Sequence, residues 1–173
     1  MVTIQFYPLD ITYKEHEGRA VIYLFGRMTG GEQVVVIDRN FEPYFYVVPK
    51  PTANIEQLKS ELKNLVIESE KDKAFVLKSE VVEKLYFEKK VNVIKVYANL
   101  PKSVPALRDY LGAHPDVNIV LEADIPFVRR YLIDKKIIPL SLCQAEGIET
   151  TAKVRAKYVI DAEKVEQVSD KII

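Results

Sequence analysis

Two short stretches concentrate the residues able to do chemistry. Phe41-Glu42-Pro43-Tyr44-Phe45-Tyr46-Val47 packs four aromatic rings into seven positions. On a strand, Phe41, Pro43, Phe45 and Val47 face one way and Tyr44 and Tyr46 the other. Such a strand is either buried on both faces or offers a platform on which flat bases stack. Asp124-Ile125-Pro126-Phe127-Val128-Arg129-Arg130-Tyr131-Leu132 joins an arginine pair to two aromatics on a helical pattern. An arginine pair is either a solvated helix face or a clamp for phosphates. A third pattern, Asp161-Ala162-Glu163, puts two carboxylates on one face of a strand, where they could share a divalent metal or simply be solvated. A metal-dependent nuclease needs further acidic ligands downstream. No glycine-rich phosphate loop, G-x-S-x-G or H-E-x-x-H pattern is present. The only cysteine is Cys143, and His16 and His114 stand far apart in sequence, which argues against a Cys/His zinc site. The residues thus assign no catalytic group and no metal ligand.

These groups need a scaffold, and 173 residues with 48% hydrophobic content are enough to bury a core. Lys+Arg 25 balances Asp+Glu 25, so a uniformly basic polyanion binder is excluded while a local basic patch is not. No apolar run reaches the ~18 residues of a membrane span, and no signal peptide precedes the first charges. The expectation is a cytoplasmic protein with no membrane partner.

The pattern divides the chain into residues 1–42, 43–123 and 124–173 of one structural domain. The first stretch reads as an antiparallel β meander, with strands at Val2–Phe6, Ala20–Phe25 and Gln33–Ile37 separated by His16-Glu17-Gly18 and Thr29-Gly30-Gly31-Glu32 turns. In the second, Tyr44–Val48 is a strand. Asn54, with Gln57 three residues on, caps a helix whose stripe is Ile55, Leu58, Leu62 and Leu65. Strands follow from Ala74 toward Phe87 and at Val91–Tyr97. Ser103 caps a second helix carrying Val104, Leu107 and Leu111, with Gly112 near its end, and Val117–Leu121 returns as a strand. That order, β-α-β-β-α-β, is the ferredoxin-like, RNA-binding-like unit. In the third stretch Asp124 caps a helix. Phe127, Val128, Tyr131 and Leu132 lie on one face, and Arg129, Arg130 and Ile133 on the other. Leu140–Glu146 and Ala152–Ile160 form a closing hairpin packed back on the meander, and Ser169–Ile173 has no evident partner. The fold class is therefore α+β.

Asp38-Arg39-Asn40-Phe41-Glu42-Pro43-Tyr44-Phe45-Tyr46 resembles the opening of archaeal family-B DNA polymerases, and Asp124-Ile125-Pro126-Phe127-Val128-Arg129-Arg130-Tyr131-Leu132-Ile133-Asp134-Lys135 resembles them more closely still. Leu9-Asp10-Ile11-Thr12-Tyr13, Val93-Ile94-Lys95-Val96-Tyr97 and Val104-Pro105-Ala106-Leu107-Arg108 follow in the same order, so the likeness runs from Leu9 to about Val168. Residues before Leu9 read as an extension. The resemblance implies an N-terminal domain that precedes a 3′–5′ exonuclease, palm, fingers and thumb. The magnesium of those catalytic domains is expected there, and this chain needs no cofactor of its own. The implied partners are single-stranded template DNA and the remaining polymerase domains.

In archaeal members this domain captures deaminated template bases, uracil and hypoxanthine, and stalls replication. Carried to this chain, the pocket is Tyr13, Pro43, Tyr44, Val93, Ile125, Pro126, Phe127 and Arg130, with Arg129 and Arg130 toward the backbone; Lys90 stands where some relatives have proline. Phe127 and Pro43 would sandwich the ring. Amides near Tyr44 and Ile125 would donate to carbonyl oxygens, which refuses the amino group of cytosine. Val93 or Tyr13 would exclude the thymine methyl by overlap. No carboxylate or histidine joins the set, so the base is held and not cleaved. Two other readings share the residues: a structural clamp with no base-specific pocket, and a ferredoxin-like regulatory domain that binds a small metabolite.

Overall fold

The computed structural model describes residues 1–151 and 156–172. The chain forms two compact units, one of Met1–Phe41 with Pro126–Ile173 and the other of Glu42–Ile125.

In the first unit five strands close into a barrel in the order β1-β2-β3-β10-β9. They are β1 (Val2–His16), β2 (Arg19–Met28), β3 (Gln33–Asp38), β9 (Ser141–Thr150) and β10 (Tyr158–Ile172). The β1–β2 turn forms because Glu17 (φ 51) and Gly18 (φ 76) both take the left-handed conformation that matches strand twist. The expected meander is therefore only part of the arrangement. β1 to β3 are antiparallel, but β3 then pairs with β10 in parallel, from Val34↔Tyr158 to Asp38↔Ala162. β1 closes the ring on β9, from Val2↔Gly147 to Phe6↔Cys143.

Three expectations change here. Residues before Leu9 are part of the barrel: they pair with β9, and Phe6 is wholly buried. The last hairpin is longer than it reads, because Leu142 pairs with Ser169 and Ser141 with Ile172, so the tail does have a partner. Its expected second strand opens on residues 152–155, which lie outside the described residues, and β10 begins at Tyr158. Finally, the β9–β10 register slips between Ala162 and Lys164, which leaves Glu163 as the extra residue of a bulge. Asp161 and Glu163 therefore do not follow simple alternation. Asp161 instead holds the Arg39 guanidinium, with Nε 3.2 Å from Oδ2. Beside the bulge a side chain on Gly147 would meet the Asp161 carbonyl oxygen at 2.1 Å, so only glycine allows the strands this close.

Helix α3 (Phe127–Lys135) also belongs to this unit. Pro126, not Asp124, is its N-cap, and no side chain caps it. Proline suits the site because the first-turn amides have no intrahelical partner. The chain leaves α3 through Lys136 in a left-handed conformation (φ 55).

The second unit is a five-stranded sheet, β5-β6-β7-β4-β8, with antiparallel neighbours throughout. Its elements run β4 (Tyr44–Pro49), α1 (Ile55–Leu62), β5 (Val66–Glu68), β6 (Lys73–Tyr86), β7 (Lys89–Ala98), α2 (Val104–Gly112) and β8 (Val117–Leu121). The Asn54 side chain accepts the Gln57 N–H at 3.1 Å, the expected cap. Ser103 makes no such bond, because a 3₁₀ turn at Pro101–Ser103 leads directly into α2. Leu58 and Leu62 of α1 and Leu107 and Leu111 of α2 pack on Phe45, Val47, Ile94 and Val96 of the sheet. One face of the sheet is thereby taken by helices. Strand alternation turns Tyr44, Tyr46, Lys95 and Tyr97 to the other.

Candidate nucleic-acid interface

The candidate residues divide between the units. Tyr13, Pro126, Phe127, Arg129 and Arg130 lie in the first. Pro43, Tyr44, Val93 and Ile125 lie in the second.

In the first unit, Tyr13 on β1 and Phe127 at the start of α3 meet edge to face, with ring centroids 5.1 Å apart. Phe41 joins Phe127 at 5.4 Å and Tyr131 at 5.2 Å. The Tyr131 hydroxyl donates to buried Asp38 at 2.8 Å, which fixes the far end of the group. Burial, and then the Asp38 carboxylate beside it, holds the Tyr131 phenol well above its ordinary pKa. Tyr13 remains 39% exposed, whereas Phe127 is only 6% exposed. The structure thus brings these two residues together, with Tyr13 toward water and Phe127 behind it.

Arg130 corrects the expected split of helix faces. It is buried with Phe127 and Tyr131, while Arg129 is exposed. The helical repeat explains this: positions three and four after Phe127 share its side of the helix. A guanidinium buried in this way suits the positioning of neighbours. Arg129 is the solvent-exposed arginine of the pair.

In the second unit, Pro43 is buried and its carbonyl accepts the Ala98 N–H at 2.9 Å. Tyr44 is partly exposed and pairs across strands with Tyr97, ring to ring at 5.8 Å; Tyr46 lies 5.7 Å from Tyr44. Val93 is fully buried and Ile125 partly so. Around these rings stand lysines. Lys95 Nζ lies 4.1 Å from the Tyr44 centroid and 5.0 Å from that of Tyr97, Lys84 4.2 Å from Tyr46, and Lys78 4.6 Å from Tyr97. Burial, and then a hydrogen bond to Glu80, pushes the Tyr97 phenol up to about 12. Lys95 and Tyr97 join Tyr44 here, although neither is among the site residues expected from the sequence. The usable signal was the alternation of Val93, Lys95 and Tyr97, which puts all three on the Tyr44 face once β4 and β7 pair.

Among the described residues, Glu61, His114 and Asp116 form the one group with metal-ligand proximity. Both histidine nitrogens are already engaged. The Asp116 N–H donates to Nδ1 at 3.0 Å, and Nε2 lies 3.0 Å from Glu61 Oε2. The Nδ1 lone pair is thus already taken by a backbone donor and is not free for a metal.

No family profile matches the chain. It is 39% identical over 132 residues to a DNA polymerase of Thermococcus sp. (strain 9oN-7), covering 76% of this chain and 16% of that protein. The DNA polymerase of Thermococcus kodakarensis is 39% identical over 132 residues, covering 76% of this chain and 8% of that protein. Among solved structures, the family B DNA polymerase from the hyperthermophilic archaeon Pyrobaculum calidifontis superposes with a TM-score of 0.81 at 31% identity, over 98% of this chain and 21% of that one. The chain therefore spans a small part of the length of the relatives it matches.

Proposed function

The chain is homologous to the N-terminal region of archaeal family-B DNA polymerases, and we propose on that basis that it is the template-reading module of a replicative DNA polymerase, cytoplasmic and partnered by that enzyme's exonuclease, palm, fingers and thumb. It binds single-stranded template and captures deaminated bases, uracil and hypoxanthine, ahead of synthesis. The observation that carries this reading is the homology. Tyr13 supports it: a half-exposed ring held against a buried Phe127 is an aromatic surface already fixed for use, so stacking on it costs little ordering.

In the first unit the proposed base contacts are Tyr13, Pro126 and Phe127, with Arg130 holding them in place and Arg129 facing the backbone. In the second they are Pro43, Tyr44, Val93 and Ile125. An unpaired template base turns out of its strand at low cost. The residues supply stacking and exclusion but no group to activate water. Magnesium belongs, on this reading, to the catalytic domains.

Burial of Phe127 and Val93 favours a second reading, a structural clamp without base selectivity. Fluorescence titration decides between them, using labelled single strands that carry one uracil or one thymine. Capture predicts a preference for uracil of roughly tenfold or more, the usual worth of excluding one methyl group. Equal affinities would leave the clamp.

A further inference from the structure

Three of the lysines on the sheet face opposite α1 and α2 have their charges handled differently. Lys78 Nζ is 3.1 Å from Glu42, and Lys84 is paired with Glu122. Lys95 makes no ion pair among the described residues. It lies over the rings of Tyr44 and Tyr97 instead. Its register partners are Tyr46 on one side and Glu80 on the other. Glu80 accepts the Tyr97 hydroxyl at 3.0 Å. The face therefore offers, beside Glu80, a lysine outside any ion pair among three partly exposed aromatic rings.

We propose that this face is a sequence-independent track for single-stranded DNA, in which Lys95 takes a phosphate and Tyr97 stacks a base. The proposal rests on the reading of the chain as a template-binding module and adds residues to it. A lysine outside any ion pair, set over aromatic rings, identifies an occupant that carries both phosphates and flat bases. A cation on an aromatic face is weakly held at a partly exposed site, so a phosphate competes well for it. As Lys95 turns to the phosphate it uncovers the rings, and the neighbouring base takes its place. An acidic peptide would satisfy Lys95 but would leave the tyrosine surfaces unused. Glu80 opposes binding by repelling the phosphate. The raised Tyr97 phenol stays neutral at working pH and adds no second negative charge.

The test uses the intact chain and a labelled oligodeoxycytidylate, which contains no uracil. Lys95→Gln should weaken binding and lower the salt slope by about 0.7, the single-strand value for one phosphate. Tyr97→Leu should weaken it by roughly 5- to 150-fold, the range for one stacked base, and the ring-retaining Tyr97→Phe should rescue it. Glu80→Gln should tighten it. Circular dichroism checks folding, and if Tyr97→Leu does not fold, Lys95→Gln and Glu80→Gln still decide. An unchanged salt slope in Lys95→Gln overturns the proposal. So does tighter binding of oligoribocytidylate than of the DNA strand, or equal competition by polyglutamate. Loss of uracil preference in the unmodified chain would sink base capture alone, since the Lys95 and Tyr97 effects are read on uracil-free strands.

Discussion

The Tyr131 hydroxyl on α3 donates to Oδ2 of Asp38 at the end of β3, and Oδ1 of the same carboxylate accepts the Asn40 N–H at 2.9 Å. Both side chains are buried. One carboxylate thus ties the helix to the strand end that leads into Phe41. Removing the hydroxyl strands part of a buried charge, so Tyr131→Phe should cost roughly 1–3 kcal/mol at neutral pH by urea unfolding.

The same pair gives an alkaline limit. A phenol whose folded pKa is raised binds its proton more tightly in the folded state. Its contribution is complete below the unfolded value of 10.0 and declines as pH rises above it. Burial likewise pushes the Cys143 thiol from 9.0 up to about 11, so its share begins to fall at lower pH. Unfolding free energy should therefore decline from about pH 9 upward. In Tyr131→Phe the decline should be shallower, with the parts that come from Cys143 and from the raised Tyr97 phenol remaining. An identical decline in both proteins would show that Tyr131 is not its source.

Phe6 tests whether the first residues matter. It is wholly buried, and its strand closes the barrel. Phe6→Ala should cost about 3–5 kcal/mol, the usual value for a buried aromatic. A cost near zero in calorimetry or denaturant titration would make residues 2–6 a dispensable extension.

Leu62 tests the helix side of the second unit. It is 2% exposed and packs with Leu58, Leu107 and Leu111. Leu62→Ala should cost roughly 2–5 kcal/mol. A loss below about half a kcal/mol would place the stripe at the surface.

Arg129 and Arg130 should part company despite being adjacent. Arg129→Gln should weaken uracil and thymine strands alike and lower the salt slope by about 0.7. Arg130→Gln should instead lower stability, since its guanidinium is buried. Phe127→Ala, if folded, should remove most uracil preference and leave the salt slope unchanged. Retention of the full preference would move the base contacts elsewhere.

Much of the second unit was legible because its signals are local. Asn54 with Gln57, the α1 stripe and the alternation of β4 each lie within a few residues. The three-residue β5 escaped because it is too short to show a period. The barrel was harder for a different reason. Its closing pairs join Val2 to Gly147 and Val34 to Tyr158, and no window of sequence contains both partners. Arg130 was misplaced because charge suggested solvent while the repeat from Phe127 dictated burial. The Glu163 bulge could not be read, since a register slip is a property of two strands. For the candidate site, the aromatic members were visible by type. Lys95 was not, because a lysine on a strand looks solvated until the rings opposite it are known.

The first unit takes its strands from both ends of the chain, on either side of residues 42–125. A ribosome that has released residue 125 has made the whole second unit, but only β1, β2 and β3 of the barrel. That three-stranded sheet presents two unpaired edges, and one is the strongly apolar Val34–Ile37 run. At 5–20 residues per second the remaining strands arrive roughly 2–10 s later. For that interval the nascent chain carries an open template for wrong pairing, which its own later strands or a chaperone must cover.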